Sequence, residues 1–265
     1  MRMSRPGAGL LAATGFDQRR TDRAGDGERV VRRVRSGPDL ARVDIRQRAD
    51  GTLATVTIAS ETTHPLASIT IDHIVDEHAR RGATVFRTPA ITVDEAAGYT
   101  RSGFVVTSVL RLLTHDLAPR DPLRSLSTPV ALRRARAVDL PACADVDRRA
   151  FGPEPSFDRH DIAAALDATD RSRFRVVRER SVTAFAVTGR AGRRGYLQRL
   201  AVDPQSQGHG IGTALVLDAL RWCQTHGSRR VVVNTSTSNV RALSLYRGLG
   251  FVDAPLELLL MERRV

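Results

Sequence analysis

The most informative segment of the chain is GYLQRLAVDPQSQGHGIG, residues 195–212. It opens with a strand-like run that ends at Asp203-Pro204, because proline cannot donate to a sheet ladder. A glycine-rich loop, residues 207–212, then leads into an amphipathic helix. Glycines let the backbone approach a ligand closely, and the first N–H groups of a helix have no intrahelical partners. Together with the helix dipole, these donors favour an anion such as a pyrophosphate.

A second motif, Asn239 followed by Tyr246 and Gly250-Phe251, lies downstream of the loop. The loop spacing Q-x-x-G-x-G differs from the dinucleotide pattern G-x-G-x-x-G and from the P-loop. With the second motif, the chain resembles the GCN5-related N-acetyltransferase (GNAT) superfamily, whose acetyl-CoA loop reads R/Q-x-x-G-x-G/A. The resemblance covers about residues 128–265. It implies an α/β fold in which a mixed, centrally splayed β-sheet is flanked by helices.

The N-terminal part of the chain repeats the order of elements in the C-terminal part. Tyr99-x-x-x-Gly103-Phe104 has the same spacing as Tyr246-x-x-x-Gly250-Phe251. We interpret this as an internal duplication, with chance recurrence of the triplet as the alternative. The resulting tandem architecture is similar to that of mycothiol synthase-like proteins. The first copy carries SETTHP, residues 60–65, where the second has its glycine-rich loop. It is therefore predicted to be a reduced, degenerate GNAT-like half.

Composition shifts suggest four segments. Residues 1–37 are rich in Gly and Arg and are predicted to be a flexible extension. Residues 38–117 form the degenerate half, and prolines mark a linker at residues 118–128. Residues 129–265 are the predicted catalytic acetyltransferase domain.

The bulk composition limits the possible partners. The net charge of +12 suggests a polyanion, but all 41 basic positions are Arg and aromatic residues make up only 5% of the chain. No aromatic residue alternates with arginine as a base-stacking surface requires, so the sequence argues against nucleic acid as the main partner. The apolar runs are too short to cross a bilayer, and no secretory signal is recognisable. Two cysteines, Cys143 and Cys223, fit free thiols in a cytoplasmic protein.

The resemblance assigns roles to particular residues. It implies that acetyl-CoA enters a cleft where two parallel strands splay apart, near residues 195–202 and 230–234. The pantetheine arm would pair with the backbone there, the loop would wrap the pyrophosphate, and Asn239 would bond the pantetheine or serve only as an N-cap. Tyr246 would act as the general acid for the departing thiolate, unless it is a structural tyrosine. The implied cofactor-binding set is Leu200, Ala201, Val202, Gln207, Gly208, His209, Gly210, Ile211, Gly212, Thr213, Asn239 and Tyr246.

The general base is not identified by the sequence. Asn234 stands where related acetyltransferases often have Glu, and it cannot accept a proton. Proton removal through water to Glu154, Asp158 or His160, or binding of an amine that is already neutral, are the alternatives. His73 and His78 have the wrong spacing for metal ligation on one helix face, so no metal is predicted.

The sequence thus predicts an acetyl-CoA-dependent N-acetyltransferase that transfers the acetyl group directly to a primary amine. The acceptor is a protein N-terminus or a small-molecule amine, and its identity stays open, as does the oligomeric state. The alternative is a non-catalytic acyl-CoA-binding or regulatory protein, which the missing Glu and the degenerate half favour.

Overall fold

The structure, a computed structural model, describes residues 29–47, 53–117, 130–152 and 156–265. It consists of two compact units, one made of residues 1–111 and 255–265 and the other of residues 112–254. Each unit combines helices with a sheet that has both parallel and antiparallel neighbours. The predicted mixed α/β class is therefore confirmed. The predicted linker, residues 118–128, lies outside the described residues, and the four-segment division stays a prediction.

The first unit is a sheet with two helices. Its elements are β1 (Arg29–Ser36), β2 (Asp39–Gln47), β3 (Leu53–Ser60), α1 (Ser68–Ala79), β4 (Val85–Arg87), β5 (Ile91–Thr92), α2 (Val93–Arg101) and the first residues of β6 (Val105–Asp116). Strands β1 to β4 are neighbours in chain order, and β3 and β4 run parallel. The last residues of the chain, in strand β12 (Val252–Arg264), pair with β4 and β5. Met261 of that strand is 2% exposed and belongs to this unit's core.

Strand β1 corrects the sequence-based expectation for part of the extension. Residues 29–36, predicted to be flexible, pair antiparallel with β2 through a two-residue turn in which Gly37 has φ +57°. Four of the eight residues in β1 are arginine, which hides the strand periodicity. Arg29 bonds the carboxylate of Asp44, and Arg33 bonds Glu61 at 2.7 Å. The rest of the predicted extension lies outside the described residues.

The second unit is a sheet with four helices. Its elements are the end of β6, β7 (Leu132–Arg134), α3 (Leu140–Phe151), α4 (Arg159–Asp167), β8 (Arg171–Arg178), β9 (Val182–Ala191), β10 (Arg194–Val202), α5 (Ile211–Thr225), β11 (Arg230–Ser236), α6 (Val240–Gly248) and the start of β12. The strand order is β6-β11-β10-β9-β8-β7. Residues 252–264 form one continuous strand, β12.

Two buried clusters cover the two faces of this sheet. Along β10, Leu197 and Val202 pack with α5, whereas Ala201 packs with the residues of α3 and α4. Leu113 and Leu117, at and just after the end of β6, are 0% and 5% exposed and belong to the cluster around α5. The unit therefore needs residues that precede the predicted linker to complete its core.

Asp139 lies just before α3, at the position of an N-cap. Its side chain makes no capping bond to that helix. The carboxylate instead accepts from Arg133 at 2.6 and 2.9 Å and from the backbone N–H of Arg136 at 2.8 Å. These bonds hold its pKa down to about 2. Since Asp139 is 3% exposed, a paired charge is more favourable there than one that only caps a helix end.

Candidate functional site

The central feature of the second unit is a gap between two neighbouring parallel strands. Strands β10 and β11 pair at only three positions, the last of which joins Tyr196 to Val232. Strand β10 continues to Val202 along β9, with a bulge between Leu197 and Arg199. The edge of β10 that faces away from β9 is therefore unpaired with β11 over its last residues.

Alternation along β10 determines which backbone groups face this gap. The N–H of Asp203 donates to Thr183 of β9 at 2.8 Å, so the groups of Asp203 and, two residues earlier, Ala201 point toward β9. The groups of Leu200 and Val202 point the opposite way, toward the gap. The carbonyl of Val202 accepts from the Nε2 of Gln207 at 3.0 Å, which agrees with this assignment. Of the three residues whose backbone groups the sequence predicted to be available to the cofactor, only Leu200 and Val202 have groups that face the gap. The backbone groups of Ala201 point into the sheet, toward β9.

The glycine-rich loop connects the end of β10 to α5. Gly208 and Gly210 have φ values of +86° and +77°, and both are exposed. Helix α5 begins without a side-chain cap, and its first backbone bond runs from Ala214 to Gly210 at 2.9 Å. The N–H groups of residues 211–213 precede that bond and point out of the helix start. The geometry is that of an anion-binding helix terminus.

The other predicted loop residues have distinct environments. Ile211 is 6% exposed and anchors the helix start in the core. Thr213 is half-buried in the first turn. His209 is exposed, and its ring Nδ1 lies 3.4 Å from the carbonyl oxygen of Ser206. A Cβ on Gly212 would lie 3.1 Å from Leu245, so the start of α5 packs closely against α6.

Helix α6 carries Tyr246 of the second motif, and Asn239 of the same motif lies just before it. The Asn239 side chain accepts from the N–H of Ala242 at 3.1 Å, so it is the N-cap of α6. Tyr246 is 5% exposed, and its ring centroid lies 5.6 Å from that of Phe251. Burial raises the pKa of Tyr246 to about 12, while the positive charge of Arg199 acts in the opposite direction. The phenol is therefore protonated at neutral pH.

Asp158 and His160, two of the residues considered as general bases, already contact other groups of the protein. Asn234 is half-buried on β11. The carboxylate of Asp158 accepts from the N–H groups of His160 and Asp161, both at 2.8 Å, and caps α4. The His160 Nε2 lies 3.2 Å from the Nε of Arg159. Glu154 lies outside the described residues.

The two cysteines are buried and free. Burial raises the pKa of each thiol to about 12, so neither is a reactive thiolate at neutral pH. In the part of the chain that the structure describes, no cluster of three or more His, Cys, Asp or Glu side chains could hold a metal ion. Its helices include none that is both long and apolar enough to span a membrane.

A buried ion pair near the gap was not found by sequence reasoning. Arg199 of β10 donates two bonds to Asp147 of α3, at 2.7 and 2.5 Å, and its guanidinium lies 3.9 and 4.1 Å from the ring centroids of Phe151 and Phe157. Asp147 also accepts from the Phe157 N–H at 2.6 Å. The sequence could have predicted the burial of Asp147, because helical spacing places it on the same face of α3 as the buried Cys143 and Val146.

The first unit repeats this architecture with its open positions filled. Strands β3 and β4 pair in parallel at Val56–Phe86 and Thr57–Arg87, and the next carbonyl, of Ile58, accepts from the Tyr99 hydroxyl at 2.9 Å. Burial raises the pKa of Tyr99, and Glu95 adds to the increase.

The helix start of this unit is also occupied. Asp39 is 3% exposed and accepts from the Ala67 N–H and the Thr70 hydroxyl, at 3.0 and 2.6 Å, at the beginning of α1. An internal carboxylate thus occupies the end of the helix that would otherwise attract an anion.

The two helix ends that carry the repeated motif have the same pattern of backbone hydrogen bonds. The N–H of Phe104 donates to Tyr99 and that of Phe251 to Tyr246, both at 3.0 Å. The glycine at each end has positive φ, +76° for Gly103 and +88° for Gly250. Both ends form the same Schellman motif.

Comparison with known proteins agrees with this geometry. Residues 141–251, from α3 through the second motif, match the model of the acetyltransferase (GNAT) family. The matched segment lies in the C-terminal half of the chain. Mycothiol acetyltransferase of Amycolatopsis mediterranei is 40% identical over 59 residues, which are 22% of this chain and 20% of that protein. Human N-alpha-acetyltransferase 30 is 45% identical over 60 residues, 23% of this chain and 17% of that protein. The matched segment thus spans about a fifth of these curated relatives.

Solved structures extend the likeness in fold to most of the chain. A tandem GNAT protein from the clavulanic acid biosynthesis pathway gives a TM-score of 0.63 at 14% identity, covering 89% of this chain and 82% of that one. A GCN5-related N-acetyltransferase from Sphaerobacter thermophilus gives 0.57 at 14% identity, covering 84% and 76%. The predicted GNAT fold is confirmed, and the tandem neighbour supports a second unit of GNAT-like fold before the segment that matches the family model.

Proposed function

We propose that the chain is an acetyl-CoA-dependent N-acetyltransferase whose cofactor site lies in the second unit. The observation that carries the proposal is the gap between β10 and β11 next to the uncapped, glycine-rich start of α5. The backbone groups of Leu200 and Val202 would pair with the pantetheine arm, and the loop would receive the pyrophosphate. Tyr246, on the adjacent helix, is a buried and protonated phenol.

The proposed reaction is a direct transfer. The nitrogen of a neutral primary amine attacks the thioester carbonyl, the C–S bond breaks, and the amide forms. Tyr246 gives its proton to the departing sulfur, and the proton of the amine leaves through water. The two buried thiols, with pKa values of about 12, favour this route over an acetylated cysteine intermediate. The acceptor class is a protein N-terminus or a small-molecule amine, in keeping with the names of the two matched relatives.

The test is calorimetric titration of the full chain with acetyl-CoA, beside the variant Gly210→Glu. This change adds a negative charge where the pyrophosphate would sit, and we expect it to abolish binding. Gly192→Glu is the matched control, because Gly192 also has positive φ and open space. It lies in the turn before β10, at the opposite end of that strand from the loop.

We expect one site per chain, lost in Gly210→Glu and kept in Gly192→Glu. Asp39 and Tyr99 fill the corresponding positions of the first unit, so a stoichiometry of two would contradict the proposal. Unchanged affinity in Gly210→Glu would show that the cofactor binds elsewhere.

A non-catalytic acyl-CoA-binding protein is the second candidate. It is favoured by Asn234, which offers no basic oxygen at the position where a base is expected. The two candidates differ in steady-state turnover: acetylation of any member of a panel of N-terminal peptides and small amines would exclude the non-catalytic one.

A further inference from the structure

Arg241 lies at the proposed cofactor site but belongs to neither sequence motif. It is exposed in the first turn of α6, two residues after the N-cap Asn239. Its Nη1 donates to the side-chain oxygen of Gln207, in the glycine-rich loop. The side-chain nitrogen of the same Gln207 donates to the Val202 carbonyl at 3.0 Å. One glutamine therefore links α6 to the end of β10.

Among the described residues, this arrangement gives the charge of Arg241 no anionic partner. Arg247, on the same helix, is paired with Asp253 at 2.7 Å. Across the described ranges no carboxylate pairs with Arg241, whose bond goes to a neutral amide oxygen. A guanidinium binds phosphate oxygens more strongly than neutral ones, because the bond is then charge-assisted on both sides.

The hydrogen bond from Gln207 to the Val202 carbonyl can also be replaced by a bond from a ligand. The Val202 carbonyl faces the gap beside β10, where the sheet supplies no partner strand. The Gln207 amide occupies this acceptor, as an amide N–H of the pantetheine arm would.

We propose that Arg241 is a phosphate-binding residue of the cofactor site and that Gln207 holds it in a resting position. When the cofactor enters, the guanidinium exchanges the Gln207 oxygen for a phosphate oxygen. The Val202 carbonyl exchanges the Gln207 amide for an amide of the cofactor. The inference rests on the proposed function, and it adds a specific role for a cation in recognising the phosphates of acyl-CoA.

The experiment compares three ligands by calorimetry on the full chain: acetyl-CoA, its 3′-dephospho form, and acetyl-pantetheine, which has no phosphate. The variant is Arg241→Gln. The matched control is Arg221→Gln, which removes the same charge from an exposed arginine of α5. Arg221 is ten residues from the helix start, about 15 Å along the axis.

We expect Arg241→Gln to weaken acetyl-CoA roughly ten- to hundredfold, the range of one charge-assisted bond, and to leave acetyl-pantetheine unchanged. If the dephospho form weakens equally, Arg241 binds the pyrophosphate; if it does not weaken, Arg241 binds the 3′-phosphate. An equal loss for acetyl-pantetheine, or a loss no larger than in Arg221→Gln, would overturn the assignment. Failure of the unmodified chain to bind acetyl-CoA would instead reject the proposed function itself.

The resting contact is tested separately with Gln207→Ala. This variant exposes the Val202 carbonyl in advance, so acetyl-pantetheine is expected to bind severalfold more tightly. Weaker binding of acetyl-pantetheine would show that Gln207 belongs to the bound state and does not hold a resting one.

Discussion

Replacing Asp147 with Asn removes one charge from a pair that is almost fully buried. Asp147 is 0% exposed and accepts three bonds of 2.5 to 2.7 Å, two from Arg199 and one from the Phe157 N–H. The side chain of Arg199 is 14% exposed and lies between two aromatic rings. An isosteric amide removes the carboxylate that accepts both of these bonds from the guanidinium in a buried site.

The expected loss follows from this burial. Breaking a buried ion pair from one side costs about 3–5 kcal/mol, and the amide oxygen still accepts one bond, so we expect about 3 kcal/mol for Asp147→Asn. Asp218→Asn is the matched control: Asp218 also accepts two bonds from an arginine, Arg173, at 2.7 Å each. The side chains of that pair are 19% and 25% exposed, and we expect a loss of about 1 kcal/mol or less.

Urea unfolding, followed by the fluorescence of Trp222, measures both losses. Trp222 is the one tryptophan of the chain and is buried in the second unit. The double change Asp147→Leu with Arg199→Met should be less damaging than Asp147→Asn, because it removes both charges of the pair from the buried site. Equal losses in Asp147→Asn and Asp218→Asn would refute the reasoning, since burial would then have no energetic effect.

Two further changes test other parts of the structure. Tyr246→Phe should lower kcat roughly 10²- to 10⁴-fold and leave the acetyl-CoA affinity nearly intact. Because the pKa of Tyr246 is about 12, kcat of the unmodified chain should not fall with rising pH until near that value. An unaltered kcat in the variant would show that Tyr246 is not the acid. A fragment of residues 129–265 lacks Leu113 and Leu117, whose loss costs about 2–5 kcal/mol each. It should therefore unfold at lower urea than a fragment of residues 112–265, and equal midpoints measured by circular dichroism would contradict this.

Local signals predicted the elements that form the candidate site. The loop at residues 207–212 and the repeated Tyr-x-x-x-Gly-Phe spacing depend on short-range chemistry, such as positive φ at Gly210 and Gly250, which a sequence displays directly. The amphipathic helix predicted after the loop is α5, and the strand expected near residues 230–234 is β11, which ends two residues later.

The remaining features depend on long-range partners that a single sequence does not specify. Asp147 and Arg199 are 52 residues apart in the chain, and a pattern places each on a buried face without pairing them. The arginines of β1 read as a solvated extension because their partner strand is not visible locally. Asp139 stands where a residue of its type usually caps a helix, but its carboxylate binds the nearby Arg133 instead.

The position of Met261 in the first unit has a consequence for how the protein is made. Residues 255–265 belong to that unit, yet they follow the whole of residues 112–254 in the chain. A ribosome adding about 5–20 residues per second needs roughly 7–30 s to pass from one part to the other. During that interval the first unit has been synthesised without the strand that carries Met261 into its core. Its folding is therefore completed only after the second unit has been translated.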